Sequence, residues 1–451
     1  MVSMKDNTKV LLKETVHVAW PSVVEALLVA LVSLVDTMMV STLGEAAIAA
    51  VGLTMQPKFI SLCVFFALNT AISSIVARRK GQKDRESANK VVWTVLIVAF
   101  ILTIIISAIG IGFADPILRL VGSYPDTHDM SVGYFKIITA GLFFNCMTMM
   151  ISGAQRGAGN TRISMTTNVA SNIVNVIFNY LLIGGNLGFP AWGVNGAAVA
   201  TVIGSVVGFA IAVKSILHKD GFVYLFYKPK KKEFIDRQSL TSLTKITLTS
   251  FLEQVLLRLG FLVYAIIVAK LGTNMFAAHN IGMNFMNLSF SIGQGLSVAA
   301  ITLVGQALGR EDRKEAKESA AMCQKIGFGF SCIFAVMFLT LGRTFFSFFT
   351  DVPEILGYGE TIFRYMTLIV MLQISTFIYT GALRSAGDNK MTTMISFISV
   401  TVIRPLFGFI FVTWLGMGIG GAWLGILADQ TMRFILTMLR FHSGKWLDII
   451  V

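Results

Sequence analysis

Long apolar runs recur from one end of this chain to the other, and no other feature constrains its fold as much. A helix rises about 1.5 Å per residue, so about 20 mostly apolar residues cross the hydrocarbon of a bilayer. Twelve such runs can be drawn: 15–41, 49–77, 90–113, 131–152, 162–184, 193–217, 243–270, 277–306, 319–341, 358–381, 391–415 and 419–440. Of 451 residues, 55% are hydrophobic and 14% charged, against roughly 25% charged in a soluble domain. We therefore expect an all-α integral membrane protein with twelve transmembrane helices, spans 1–12 in chain order. The first run is too long for a signal-peptide core and lacks a small-residue cleavage pattern, so it reads as a retained helix.

The net charge of +13 would fit a nucleic-acid partner, but its distribution argues for none. Lys and Arg concentrate in alternate connections: Arg78 to Lys90, Lys214 to Lys245, Arg310 to Lys317, and the short turns with Arg156 and Arg162 or Arg384 and Lys390. The connections 42–48 and 185–192 carry no basic residue, and 114–130 only Arg119 and no Lys. Basic loops stay cytoplasmic, which places both termini in the cytoplasm. The longest polar stretch, 218–242, contains Lys228-Pro229-Lys230-Lys231-Lys232. It reads as a linker between an N-lobe, 1–217, and a C-lobe, 243–451; its lysines serve topology or bind anionic lipid headgroups.

Shifted by 228 residues, the chain matches itself. Residues 21–90 lie over 249–318 without a gap, and twenty of the seventy positions are identical, among them Glu25/Glu253, Gly44/Gly272, Gly81/Gly309 and Asp84-Arg85/Asp312-Arg313. The same offset lays Gly153-Ala154-Gln155-Arg156 over Gly381-Ala382-Leu383-Arg384. One constant offset means duplication of a six-helix unit. Six is even, so the copies form two parallel-repeat six-helix bundles (6+6). Channels also contain repeats, so this favours a transporter without requiring one.

A charge within the bilayer is costly and needs a reason. Glu25 and Asp36 on span 1 are eleven residues apart, which returns to within about 20° on a helix and separates them by about 16 Å along one face. They suggest a cation pathway; otherwise each caps or bonds a neighbouring helix. Glu253 is the repeat copy of Glu25, whereas Asp36 is matched by Tyr264. Asp429 and Arg433, four apart, can pair on one helix face. Arg404 precedes Pro405 in span 11 and serves either carbonyls freed by a kink or a carboxylate. On span 5, Asn168, Asn172, Asn175 and Asn179 form one stripe, able to satisfy one another or to offer oxygens to a hard cation. The Met- and Phe-rich spans either pack or line an adaptable pocket. Paired glycines such as Gly204/Gly208 and Gly421/Gly425 permit close helix contacts.

Cys63, Cys146, Cys323 and Cys332 form no C-x-x-C pair, and the five His are scattered. No disulfide framework, protein-built metal centre or other cofactor is expected. No D-D-x-x-D run or His/Asp constellation supports an enzyme.

Trp20-Pro21 with Val35-Asp36-Thr37-Met38-Met39 and Leu43-Gly44 resembles the opening of the multidrug and toxic compound extrusion (MATE) family. So do Gly153-Ala154-Gln155-Arg156-Gly157-Ala158-Gly159-Asn160-Thr161, Gly193-Val194-Asn195-Gly196-Ala197-Ala198 and Gly420-Gly421-Ala422-Trp423. The likeness covers nearly the whole chain and is of the bacterial type. It implies an antiporter: H+ or Na+ enters while a lipophilic, often cationic, small molecule leaves. It also implies a cation-coupling site at Asp36, Asn175, Asn179 and Thr201, with a bound Na+ as one form. Asn179 stands where many members carry a second Asp. Glu253 matches an acid of a second site, whose span 10 partner is absent from Met371-Leu372-Gln373-Ile374-Ser375-Thr376. Glu25 and Glu253 are the candidate second-lobe or substrate carboxylates, and buried acids outnumbering buried bases would favour cationic cargo. A flippase for a lipid-linked sugar or other lipid, on the same scaffold, is the alternative. A monomer in contact with membrane lipids, in a bacterial inner membrane, is expected.

Overall fold

The computed structural model describes residues 4–123, 125, 127–227, 237–349 and 352–449. Lys228-Pro229-Lys230-Lys231-Lys232 lies outside the described residues. Among those described there is no strand. The helices are α1 (Met4–Ser41), α2 (Glu45–Gly81), α3 (Arg85–Gly112), α4 (Ala114–Val121), α5 (His128–Ala140), α6 (Leu142–Gly157), α7 (Thr161–Gly184) and α8 (Gly193–Ile216). They continue as α9 (Arg237–Ala269), α10 (Thr273–Gly309), α11 (Arg313–Ser347), α12 (Pro353–Ser385), α13 (Asn389–Ser396), α14 (Arg404–Phe409) and α15 (Gly418–His442).

Among the described residues, nine helices are long and apolar enough to cross a membrane, and α5 with α6, bent by 44°, makes a tenth. One of the nine runs from Asn389 to Trp414. It combines α13 and α14 with two π-helical stretches, Phe397–Ile403 and Ile410–Trp414. Pro405 sits at the join: it lacks the N–H that an α-helical ladder requires, and wider turns accommodate the loss. The expected spans 5 and 12 are α7 and α15, 24 and 25 residues long. They have the length of a span, but polar groups run through their middles: four Asn in α7, and Asp429, Gln430 and Arg433 in α15.

Contacts gather the chain into two units, Leu27–Thr247 and the combination of Met1–Ala26 with Leu248–Val451. The division falls inside α1, whose first half lies against α10: a Cβ on Gly295 would meet the Val23 backbone at 2.7 Å. In lipid, apolar contact with a neighbour replaces equally apolar contact with acyl chains. Close backbone approach and satisfied polar groups must therefore hold the helices together. Gly204 shows the approach in the Leu27–Thr247 unit, where a Cβ would sit 2.6 Å from the Ser171 carbonyl oxygen. Gly425 does the same against the Gly408 backbone at 3.0 Å in the other unit.

The internal repeat is written into the backbone. Lys83 and its copy Glu311 both take a left-handed conformation, with φ 57° and 62°, which is uncommon for non-glycine residues. One residue on, Asp84 and Asp312 cap α3 and α11, accepting from the Ser87 and Glu315 N–H groups at 3.0 Å and 2.8 Å. Gly44 and Gly272 repeat at φ 98° and 96°.

The expected linker begins as an ordered strap. Arg85 of α3 donates to the Lys219, Gly221 and Phe222 carbonyls. Asn89 accepts from the Tyr224 N–H at 2.8 Å, and Trp93 donates to the Leu225 carbonyl at 2.8 Å. Arg85, read from sequence only as topology charge, fixes this segment.

Four Phe residues of α10, α11 and α12 pack against one another. Phe285, Phe338, Phe346 and Phe363 stack and tilt at centroid distances of 5.1–6.4 Å. Phe338, Phe346 and Phe363 are buried.

Candidate functional site

The Leu27–Thr247 unit brings together all four residues expected to couple a cation. Asp36, near the end of α1, is partly exposed, while Asn175 and Asn179 of α7 are buried. Asn179 Nδ2 donates to Asp36 Oδ1 at 2.8 Å. Asn175 satisfies its surroundings when its amide nitrogen faces the carboxylate, at 2.9 Å and 3.1 Å from the two oxygens. Its oxygen then meets the Thr201 N–H of α8 at 3.1 Å. The four-residue step from Asn175 to Asn179 puts both amides on one helix face, so a single stripe of α7 clasps the carboxylate.

Two further features shape this site. Asn179 Oδ1 is buried and has no hydrogen-bond partner among the described residues. A buried acceptor left without a donor is costly, and a cation or a protonated group would relieve that cost. Lys58 of α2 acts electrostatically on Asp36, a partner the sequence reading missed. The signal was available: a lysine directly after Pro57, inside an apolar run. A positive charge at Lys58 opposes the binding of a further cation at Asp36.

The second candidate group lies in the other unit. Glu253 of α9 is buried, receives a hydrogen bond from Ser396 Oγ at 2.7 Å, and pairs with Arg384 of α12 at 2.8 Å. Arg384 is thus the counter-ion of this buried carboxylate. Arg384, read as part of a basic turn, reaches it from the end of α12. Arg156, the repeat copy of Arg384, instead donates to Ser164 and Asn69 at 2.7 Å and 3.0 Å.

Asp429 bonds chiefly to Arg404, not to Arg433. Arg404 Nη2 and Nε donate to Asp429 Oδ2 at 2.6 Å and 2.9 Å, whereas Arg433 stays at 3.7 Å. Arg404 therefore serves a carboxylate, and the Phe261 ring lies 4.9 Å from its guanidinium carbon. Tyr264, in the place of Asp36 in the repeat, donates to the Ala422 carbonyl. Among the described residues of this unit the buried carboxylates Glu253, Asp388 and Asp429 outnumber the buried base Arg404, in line with the expected excess of acid, while Arg384 and Arg433 are partly exposed. Glu25 is half-buried at the end of the Met1–Ala26 segment, separated by the division in α1 from the unit holding Asp36.

Comparison with known proteins bears on the family and the fold. The MatE family model matches the chain twice, at residues 21–181 and 250–410, in keeping with the repeat. The chain is 28% identical to a probable multidrug resistance protein NorM of Thermotoga maritima, over 98% of this chain and 94% of that one. It is 24% identical to the multidrug resistance protein PmpM of Pseudomonas aeruginosa, over 95% and 91%. An outward-facing structure of a multidrug resistance MATE family transporter of the MOP superfamily superposes with a TM-score of 0.88 at 22% identity, covering 96% of this chain and 97% of that one. With both copies of the family model matched across most of its length, this chain is a member of the MatE family, the multidrug and toxic compound extrusion transporters.

Proposed function

We propose that this protein exports lipophilic, cationic small molecules in exchange for H+ or Na+ taken up at Asp36. One observation carries this reading: an intramembrane carboxylate clasped by two amides of α7, beside a buried oxygen that lacks a donor. The carboxylate oxygens and Asn179 Oδ1 are hard donors of the kind that suit Na+, and the carboxylate alone suffices for a proton. When ionised, Asp36 attracts cationic cargo; an arriving H+ or Na+ neutralises it and weakens that hold. A ligand shifts a two-state equilibrium only by its differential affinity for the states, and neutralising the acid supplies that difference.

Several further assignments belong to this reading. Twelve spans, completed by α7 and α15, give a 6+6 arrangement with both termini cytoplasmic. Lobes 1–217 and 243–451, joined by 218–242, alternate access across a bacterial inner membrane, with the protein acting as a monomer. A cavity of about 390 Å³ between Leu43, Met130 and Trp192 has the volume of a small-molecule site. The names of the relatives support drug-like cargo over a lipid-linked sugar.

The test is efflux from reconstituted vesicles. A lipophilic fluorescent cation is loaded, and Na+ and pH gradients are imposed separately. Gradient-driven efflux that is lost in Asp36→Asn supports the proposal; efflux indifferent to both gradients and to Asp36 defeats it.

A further inference from the structure

The internal repeat gives the unit formed by Met1–Ala26 and Leu248–Val451 its own copy of the Asp36 site, with different chemistry. The 228-residue offset lays Tyr264 over Asp36, and Ile403 and Phe407 over Asn175 and Asn179. The carboxylate and both amides are therefore missing from their places. The helices α8 and α15 begin alike, with Gly193 and Gly418 at φ 55° and 57°, and that alignment sets Asp429 in the place of Gly204. Position 204 faces the amide stripe: a Cβ there would lie 3.1 Å from the Asn175 Cβ. Asp429 likewise faces the Asn389–Trp414 span, where it meets Arg404, the residue after the copy of Asn175.

Asp429 thus returns a carboxylate to the site from the neighbouring helix, and Arg404 brings a cation with it. Nε and Nη2 of Arg404 both donate to Asp429 Oδ2, at 2.9 Å and 2.6 Å. The same guanidinium lies 5.7 Å from the ring of Tyr264, within reach of a cation–π contact. Both partners are closed in, at 1% and 0% exposure, and Asp429 Oδ1 has Arg433 at 3.7 Å. A mobile ion could enter only by displacing a guanidinium that is tethered to the chain and would be left stranded in the bundle. The other buried carboxylates of this unit are held in the same way, Glu253 by Arg384 at 2.8 Å and Asp388 by Arg440 at 2.6 Å. Asp36 is instead clasped by amides, which donate hydrogen bonds without supplying a charge.

We propose that Arg404 is a resident cation standing where the second unit's coupling ion would bind, so that each transport cycle couples to a single ion, taken up at Asp36. The count of ions per cycle rests on the export reading. The occupied site does not, because it is tested without transport, so the two can fail separately.

The test empties the site in an Asp36→Asn background, which removes the response of the first unit. Adding Arg404→Met and Arg433→Met leaves Asp429 without a guanidinium. Purified full-length protein is melted in sodium or choline chloride at equal ionic strength, and at about pH 8 and about pH 6. The emptied site should take Na+ or a proton in place of the guanidinium. Relative to Asp36→Asn alone, its midpoint should rise by about 5 °C or more, either at roughly a hundredfold excess over half-saturating Na+ or on acidification. Arg404→Lys with Arg433→Met, which keeps a tethered cation, should show neither response. A purely structural pair would leave the emptied variant less stable but indifferent to Na+ and to pH beyond Asp36→Asn, and that result overturns the proposal. Should the emptied variant not fold, the number of ions entering per cargo molecule leaving wild-type vesicles decides the matter. One ion supports the proposal, and two overturn it.

Discussion

Removing Asp429 should be among the most damaging single changes in the second unit, and the damage should depend on which partner is removed. Asp429→Asn keeps the shape but strips Arg404 of its counter-charge, and both side chains are at most 1% exposed. At an effective dielectric of ~20 and a charge separation of about 4 Å, their attraction is about 4 kcal/mol. Breaking a buried pair by deleting one partner costs about 3–5 kcal/mol, because the remaining charge is stranded. In a unit of this size that lowers the melting temperature by roughly 6–20 °C. Arg404→Met should cost less, since Arg433, 3.7 Å from the other Asp429 oxygen, can move onto the freed carboxylate. The double variant should be more stable than Asp429→Asn alone, because no stranded guanidinium remains at position 404. Thermal unfolding of purified protein, followed by fluorescence and retention of a monodisperse peak, provides the four midpoints. An Asp429→Asn midpoint within about 2 °C of wild type, or an Arg404→Met loss exceeding it, would refute the assignment of Asp429 to Arg404.

Gly157→Ala should destabilise by about 1–3 kcal/mol, since its Cβ would meet the Ser73 carbonyl oxygen at 2.5 Å. Gly329→Ala meets nothing within 4 Å and should be neutral or gain up to about 1 kcal/mol; thermal melting checks both signs. At α4, Arg119 and then His128 hold the Asp115 carboxyl down at about 2. A depressed folded-state value gives stability that is complete above the ordinary carboxylate range and fades as pH falls through it toward about 2. Amide exchange over 114–128 should therefore accelerate below about pH 4, and Asp115→Asn should remove that dependence. Lys58→Met should raise the affinity of Asp36 for the coupling cation, measured by titrating efflux against cation concentration.

The helices were legible because apolar runs fix membrane helices with little help from tertiary context, and the 228-residue repeat fixed their pairing into copies. Asp36, Asn175, Asn179 and Thr201 were found from a carboxylate in an apolar run, a stripe of amides and family likeness. Lys58 stands alone among apolar neighbours in the run 49–77, and no spacing along the chain ties it to Asp36 on another helix. The pairing of Asp429 with Arg404, 25 residues away, could not be read from spacing. Helical periodicity reports neighbours on one helix, here Arg433, while the contact across helices depends on how α14 and α15 pack. Arg384 shows the same limit from the other side. Sequence assigned its charge to a loop, whereas its long side chain reaches back to Glu253 within the bundle.

The most direct measurement drives the proposed exchange from the cargo side. Vesicles containing the reconstituted protein are given an outward gradient of a lipophilic cation, and entry of radiolabelled sodium and of protons is recorded for wild type and Asp36→Asn. The expected result is uptake of one of the two ions against its own gradient in wild type and none in Asp36→Asn. Cargo leaving wild-type vesicles with neither ion entering, or ion entry undiminished in Asp36→Asn, would contradict coupling at this carboxylate.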